Sequence, residues 1–174
     1  MNLKSDNYNL RLFNQDDLEN VFRGLSDPTV ILYYGVSFDS LEATQEQINW
    51  YAKIESENTG RWRAICSSTD NSFLGAVGLN DWDQETGVAQ IGYWLLPEYW
   101  GKGVLKETFP IFLDFAFNHL KIKKIEAEVE TLNVSSRKLL ESSGFTYEKT
   151  LKDCEMKYGK LISLDIFSKT RAGK

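Results

Sequence analysis

Two glycines flank a lysine in the stretch YWLLPEYWGKGVLKETF (93–109), between an apolar run ending in a proline and an amphipathic segment. A Gly101-Lys102-Gly103 turn at a helix start presents unpaired backbone amides at the positive end of the helix dipole, an arrangement suited to a pyrophosphate. A plain tight turn fits the same residues. The loop that binds nucleoside triphosphates, Gly-x-x-x-x-Gly-Lys-Ser/Thr, is excluded. Lys102 is followed by Gly103 and Val104, with no hydroxyl for magnesium. The dinucleotide fingerprint fails too, because no third glycine follows at the right offset. Cys66 and Cys154 match neither a disulfide framework nor a metal-ligand spacing. With His119 as the sole histidine, zinc sites and histidine-based triads fall away, and no metal is expected.

Such a turn needs a strand before it and a helix after it, and the chain alternates accordingly. Strands are expected over 8–13, 61–66, 73–79 and 88–96, with a hairpin turn over 80–87. Helices are expected over 16–27, where Asp16 and Glu19 form a capping box, and over 40–56. The segment 27–38 reads as irregular and aromatic. From Val104 to Leu120, Leu105, Phe109, Phe112, Leu113, Ala116 and Leu120 share one helical face. Pro110 lies inside that helix, where it frees the Lys106 carbonyl and costs about 3 kcal/mol unless the helix kinks. A strand over 123–130, a short helix closed by Gly144, and strands over 146–151 and 161–168 complete the chain. The expected fold is α+β, about seven strands and four helices with one central β-α-β crossover, in a single domain spanning 1–174.

A net charge of −5 argues against nucleic acid as a partner and mildly favours cationic partners such as amines. No apolar run is long enough for a membrane span, and MNLKSDNYNLRLF lacks the core of a signal peptide, so a cytoplasmic location is expected.

The block IGYWLLPEYWGKG, the helix after it, the strand KIEAEVE and then NVSSRKLLESSGF together resemble the GNAT superfamily of acetyl-CoA-dependent N-acetyltransferases, most of all its RimJ/RimL-type branch. The close match covers roughly residues 88–151. The resemblance implies a three-layer, mostly antiparallel sheet splayed between its fourth and fifth strands. It implies acetyl-CoA as cosubstrate, with the pyrophosphate on the amides of Gly101, Lys102, Gly103, Val104, Leu105 and Lys106. Trp100 stands where the family has Gln or Arg, and Leu105 where it has a small residue. The pantetheine arm is expected along the main chain of Tyr93, Trp94 and Leu95, as an added strand would lie. Gly92 marks either a bulge that opens the splay or a close-packed strand glycine.

Acetyl transfer requires an amine to lose a proton, an oxyanion to be stabilised and a thiolate to be protonated. The family's usual tyrosine acid is replaced by Leu140. The resemblance offers Ser136 instead, with Asn133 contacting the cofactor; an Asn N-cap followed by a first-turn serine is the plain structural alternative. Glu126, Glu128 and Glu130 project from one strand face, and Glu128 matches a catalytic glutamate of some relatives. A solvated face is the alternative. Gln90 stands where RimJ/RimL-type sequences often carry glutamate. The acceptor is expected between segment 27–39, with Tyr33, Tyr34 and Phe38, and the turn 80–87, with Asp81, Asp83 and Glu85. His119 is expected to cap a helix end. A protein N-terminal α-amino group is the first acceptor implied, a polyamine, amino acid or amino-sugar antibiotic the second. A non-catalytic acyl-CoA sensor is the rival from another class, and a homodimer is left open.

Overall fold

The computed structural model describes residues 3–172. One eight-stranded sheet runs in the order β1-β2-β3-β4-β5-β6-β8-β7. Its strands are β1 (Leu3–Lys4), β2 (Tyr8–Arg11), β3 (Arg61–Ser67), β4 (Phe73–Asp83), β5 (Val88–Leu95), β6 (Lys124–Glu130), β7 (Thr146–Lys157) and β8 (Lys160–Thr170). The expected seven strands are all present. The eighth is the two-residue edge β1, too short to show a period in sequence. Five α-helices flank the sheet: α1 (Leu18–Ser26), α2 (Pro28–Ile31), α3 (Leu41–Ser56), α4 (Val104–Asp114) and α5 (Val134–Ser142). The fifth is α2, a single turn inside the segment read as irregular.

Several local expectations shift. The capping box lies earlier than Asp16/Glu19: Asn14 accepts from the Asp16 amide at 2.9 Å, and Asp17 accepts from the Asn14 amide at 2.9 Å. Asp17 is buried and paired to Arg11 at 2.7 Å, a partner that local sequence does not reveal. Strand β4 runs on to Asp83 through a register shift at 80–83, so the turn is shorter than 80–87. Helix α4 accommodates Pro110 and then widens into a π-turn over Phe115–His119, where the Leu120 amide reaches the Phe115 carbonyl. His119 ends that turn, stacked on Phe115 at 5.4 Å between centroids.

Apolar side chains leave the two sheet faces into separate cores. Ile91, Leu95, Ile125, Ala127 and Val129 join α4 and α5 on one face, around Phe109, Phe112 and Leu140. Trp62, Ala64, Ala76 and Trp94 join α1 and α3 on the other. On that second face the Trp62 ring lies over the cross-strand pair Gly78 and Gly92. A Cβ would meet the ring at 2.1 Å from Gly78 and at 2.9 Å from Gly92. Gly92 is therefore the close-packed strand glycine rather than a bulge, and its pairing with β4 is in register.

All neighbouring strands are antiparallel except β5 and β6, which the α4 crossover joins in parallel. That parallel ladder holds only Val88–Gln90 against Lys124–Glu126. Beyond it β5 continues on β4 and β6 continues on β8, while their facing edges have no ladder partner. The expected splay is present.

Candidate active site

The V between β5 and β6 opens into a cleft of about 620 Å³. Eleven of the twelve residues expected in the site line it: Tyr93, Trp94, Leu95, Gly101, Gly103, Val104, Leu105, Lys106, Glu128, Asn133 and Ser136. The exception is Lys102, whose ammonium lies 5.8 Å from the Tyr99 ring centroid, outside the lining.

The glycine turn is built from both sides. Pro97–Tyr99 forms a single 3-10 turn after β5, and the Trp100 indole donates to the Leu95 carbonyl at 2.9 Å, tying the turn to the strand end. Gly101 and Gly103 both adopt left-handed backbone, at φ 70° and 77°. A Cβ at either would meet nothing within 4 Å, so the space in front of the turn is open. Gly103 caps α4 without any side-chain acceptor, which leaves the first-turn amides facing the cleft region unsatisfied.

At α5, Asn133 is the N-cap and accepts from the Ser136 amide at 3.3 Å. The capping role and a place in the cleft lining coexist. The Ser136 hydroxyl is bonded to the Tyr93 hydroxyl. Burial pushes the Tyr93 phenol up to about 12, partly offset by that bond. The Tyr93 ring meets Phe109 edge-on at 5.1 Å. Leu140 is wholly buried in the core of this face.

On the opposite face, the three glutamates of β6 differ. Glu126 lies 3.8 Å from Lys124, and Glu130 is bonded to Lys157 at 2.6 Å. Glu128 alone lines the cleft, and no ion pair to it is present among the described residues. Partial desolvation, then the charges of Glu155, Glu126 and Asp81, raises its carboxyl above the ordinary value, with Gln90 pulling it back by a hydrogen bond. Asp81, Asp83 and Glu85 are exposed and outside the lining, the first two at the end of β4 and the last in the turn.

The far end of the cleft is bounded by Thr29, Val30, Leu32, Tyr33 and Tyr34. Tyr34 and Phe38 both pack against the α1–α3 core, and of the three expected aromatics Tyr33 and Tyr34 line the cleft while Phe38 does not. Three features escaped the sequence: the Tyr93 hydroxyl, the Trp100 indole anchor, and Lys157. The last donates to the Leu32 carbonyl at 2.8 Å and to Glu130, clasping the tip of the β7–β8 hairpin to the α2 end. Each joins residues distant in the chain or uses a side chain with no motif of its own.

The Acetyltransferase (GNAT) domain model matches residues 8–146. An uncharacterized N-acetyltransferase of Bacillus licheniformis, p20, is 34% identical over 95% of this chain and 94% of that one. YoaA of Bacillus subtilis, also an uncharacterized N-acetyltransferase, is 29% identical over 95% of this chain and 94% of its own. Among solved structures, an acetyl transferase of Salmonella typhimurium that modifies the N-terminal serine of a ribosomal protein superposes with a TM-score of 0.88 at 16% identity, covering 98% and 99% of the two chains. Spermidine N-acetyltransferase of Vibrio cholerae, with CoA and spermine, gives 0.86 at 21% identity, covering 96% and 97%.

Proposed function

Since the chain belongs to the GNAT acetyltransferase family and is an acyltransferase, we propose that it transfers acetyl from acetyl-CoA directly to a primary amine, in the first instance the α-amino group of a polypeptide. One observation carries the reading: the unpaired edges of β5 and β6 open directly beside the uncapped start of α4, in one cleft. GNAT acetyltransferases use acetyl-CoA, and these residues fit it. A strand-like pantetheine arm would meet the free main chain of Tyr93–Leu95, and a pyrophosphate would meet the open glycine turn and Lys106. The thioester supplies an activated acyl group when bound.

Every other step falls to this chain. Backbone amides at the splay polarise the carbonyl. Glu128 holds the incoming ammonium and takes its proton, directly or through water; its raised carboxyl lies closer to neutrality than an ordinary glutamate, which suits a base. Ser136 and Asn133 sit at the other wall. The apolar end at Val30, Leu32 and Tyr33 suits the side chains of a peptide, and the free β6 edge suits its backbone. A polycation such as spermidine is the second reading, favoured by the carboxylates of Glu155, Glu126 and Asp81 gathered near Glu128.

The test is a thermal-shift series with acetyl-CoA, CoA and ATP, followed by acetylation of a free-amino hexapeptide and of spermidine. A ligand at 100 times its dissociation constant should add about 2.7 kcal/mol of stability, a shift of several degrees. Stabilisation by ATP and not by either coenzyme would sink the reading. A kcat/KM higher for spermidine than for the peptide would transfer it to the second acceptor class.

A further inference from the structure

Leu140 leaves α5 without a hydroxyl where the family's usual tyrosine would stand, yet a phenol reaches the same helix from another direction. We propose that Tyr93, delivered from β5, completes with Ser136 a hydroxyl pair that donates a hydrogen bond to the departing sulphur. The inference rests on the acetyl-transfer reading above.

Ser136 and residue 140 are four apart and so share one helical face. Leu140 fills the core beneath, in the same cluster as Phe109 and Phe145. The Tyr93 ring packs on Phe109 in that cluster, and its hydroxyl meets Ser136 one turn above Leu140. Each hydroxyl carries one hydrogen and accepts others. One hydrogen is used between them. The second has no other protein acceptor among the described residues, and both side chains line the cleft.

The faces of the sheet complete the geometry. Tyr93 shares its face with Ile91 and Leu95, towards α4 and α5. Glu128 alternates with Ala127 and Val129, which point to that same side, so its carboxylate projects from the opposite one. Tyr93 lies three residues beyond the last paired position of β5, Gln90, and Glu128 two beyond that of β6, Glu126. A thioester in the V therefore meets a donor on one face and a carboxylate on the other.

The nitrogen–carbon bond forms, the carbon–sulphur bond breaks, and its electron pair stays on sulphur. The proton lost by nitrogen passes to Glu128 or water and is the one that finally resides on the thiol. The pair is unchanged overall, because a phenol this weakly acidic stabilises the thiolate by donation rather than by permanent ionisation.

The test needs no acceptor. The ultraviolet absorbance of the CoA thiolate, followed against pH, gives the thiol pKa in the complexes of wild type, Tyr93→Phe, Ser136→Ala and Tyr93→Phe/Leu140→Tyr. A thiol bound to wild type should titrate below its ordinary value of about 8.5. Tyr93→Phe should raise it by about one unit, and Leu140→Tyr should reverse part of that rise. In turnover with an accepted amine, Tyr93→Phe should lower kcat about 10²-fold with little change in KM for acetyl-CoA. An unchanged thiol pKa in Tyr93→Phe would overturn the proposal, as would an equal loss of affinity for CoA and desulfo-CoA, which marks a packing role. If wild type fails to bind CoA at all, the acetyl-transfer reading fails, a result distinct from either.

Discussion

Gly103 and Glu128 act through what they lack, a side chain in one case and a cation in the other. At Gly103 an aspartate Cβ would meet no atom of the fold, but the left-handed backbone, φ 77°, is strained for an L side chain, for aspartate less than for most. A carboxylate at an uncapped helix start even favours the helix dipole. It would, however, occupy the place of the pyrophosphate and repel it. Gly103→Asp should therefore bind acetyl-CoA more weakly by tenfold or more, about 1.4 kcal/mol, while its melting temperature without ligand falls by only a few degrees, from about 1 kcal/mol of backbone strain. Calorimetric titration beside a melting curve checks both halves. Glu128 couples folding to pH. Its carboxyl is raised in the folded state, so the folded protein holds that proton more tightly than the unfolded chain. The resulting penalty is absent below the ordinary carboxylate pKa and complete above the raised one. Glu128→Gln should melt slightly higher than wild type at pH 7, with the difference vanishing as pH falls below about 4. The same variant should lose the acidic limb of the kcat/KM profile that deprotonation of the base creates. A melting difference that grows on acidification would contradict this assignment.

At the scale of elements, the turn and α5 can be probed without touching the cleft's open space. Trp100 ties its turn to β5 through one indole bond and is otherwise half-exposed. Trp100→Phe should cost about 1 kcal/mol of stability and loosen the glycine turn, seen as faster amide exchange over 101–106. Asn133→Ala removes the α5 cap and should cost about 1 kcal/mol; acetyl-CoA affinity, measured alongside, reports whether the residue also serves the ligand. These elements also show what sequence conveys. The α4 stripe, the β6 alternation and the Asn133 and Gly144 ends of α5 were legible because each is a local pattern with a local cause. The Arg11–Asp17 pair, the Trp62 ring over Gly78 and Gly92, and the Tyr93–Ser136 bond were not. Each depends on which strand or helix lies alongside, and a single sequence carries no local mark of that. Segment 27–38 misled for a related reason, since α2 is one turn held by Asp27 accepting from the Thr29 amide at 2.8 Å, too brief for any periodicity.

Across the whole molecule, the sheet is joined through its middle by three ladder positions of β5 and β6. The antiparallel hairpins on either side are longer, and the α4 core bridges the two faces of the junction only from one side. In the free protein, amides on the facing edges at 91–95 and 127–130 should exchange rapidly for strand residues. Saturating CoA should slow those of 91–95 that an added strand would cover, with little change in β7 and β8. Protection confined to the glycine turn would place the arm elsewhere. Lys157 adds a second whole-chain link, from the hairpin tip to Leu32 in the cleft lining. Lys157→Ala should alter KM for the amine more than KM for acetyl-CoA.

The splay also bears on how such a protein changes over time. Along 93–95 the track proposed for the pantetheine arm consists of peptide groups, and a point substitution exchanges side chains while leaving peptide groups in place. Only proline, or a change in strand pairing, can erase it. The walls beyond the track, at Leu32, Tyr33, Glu128 and the hairpin tip, are written in side chains and are free to drift. A lineage built on this plan can revise what it acetylates many times over without having to reinvent how it holds the donor.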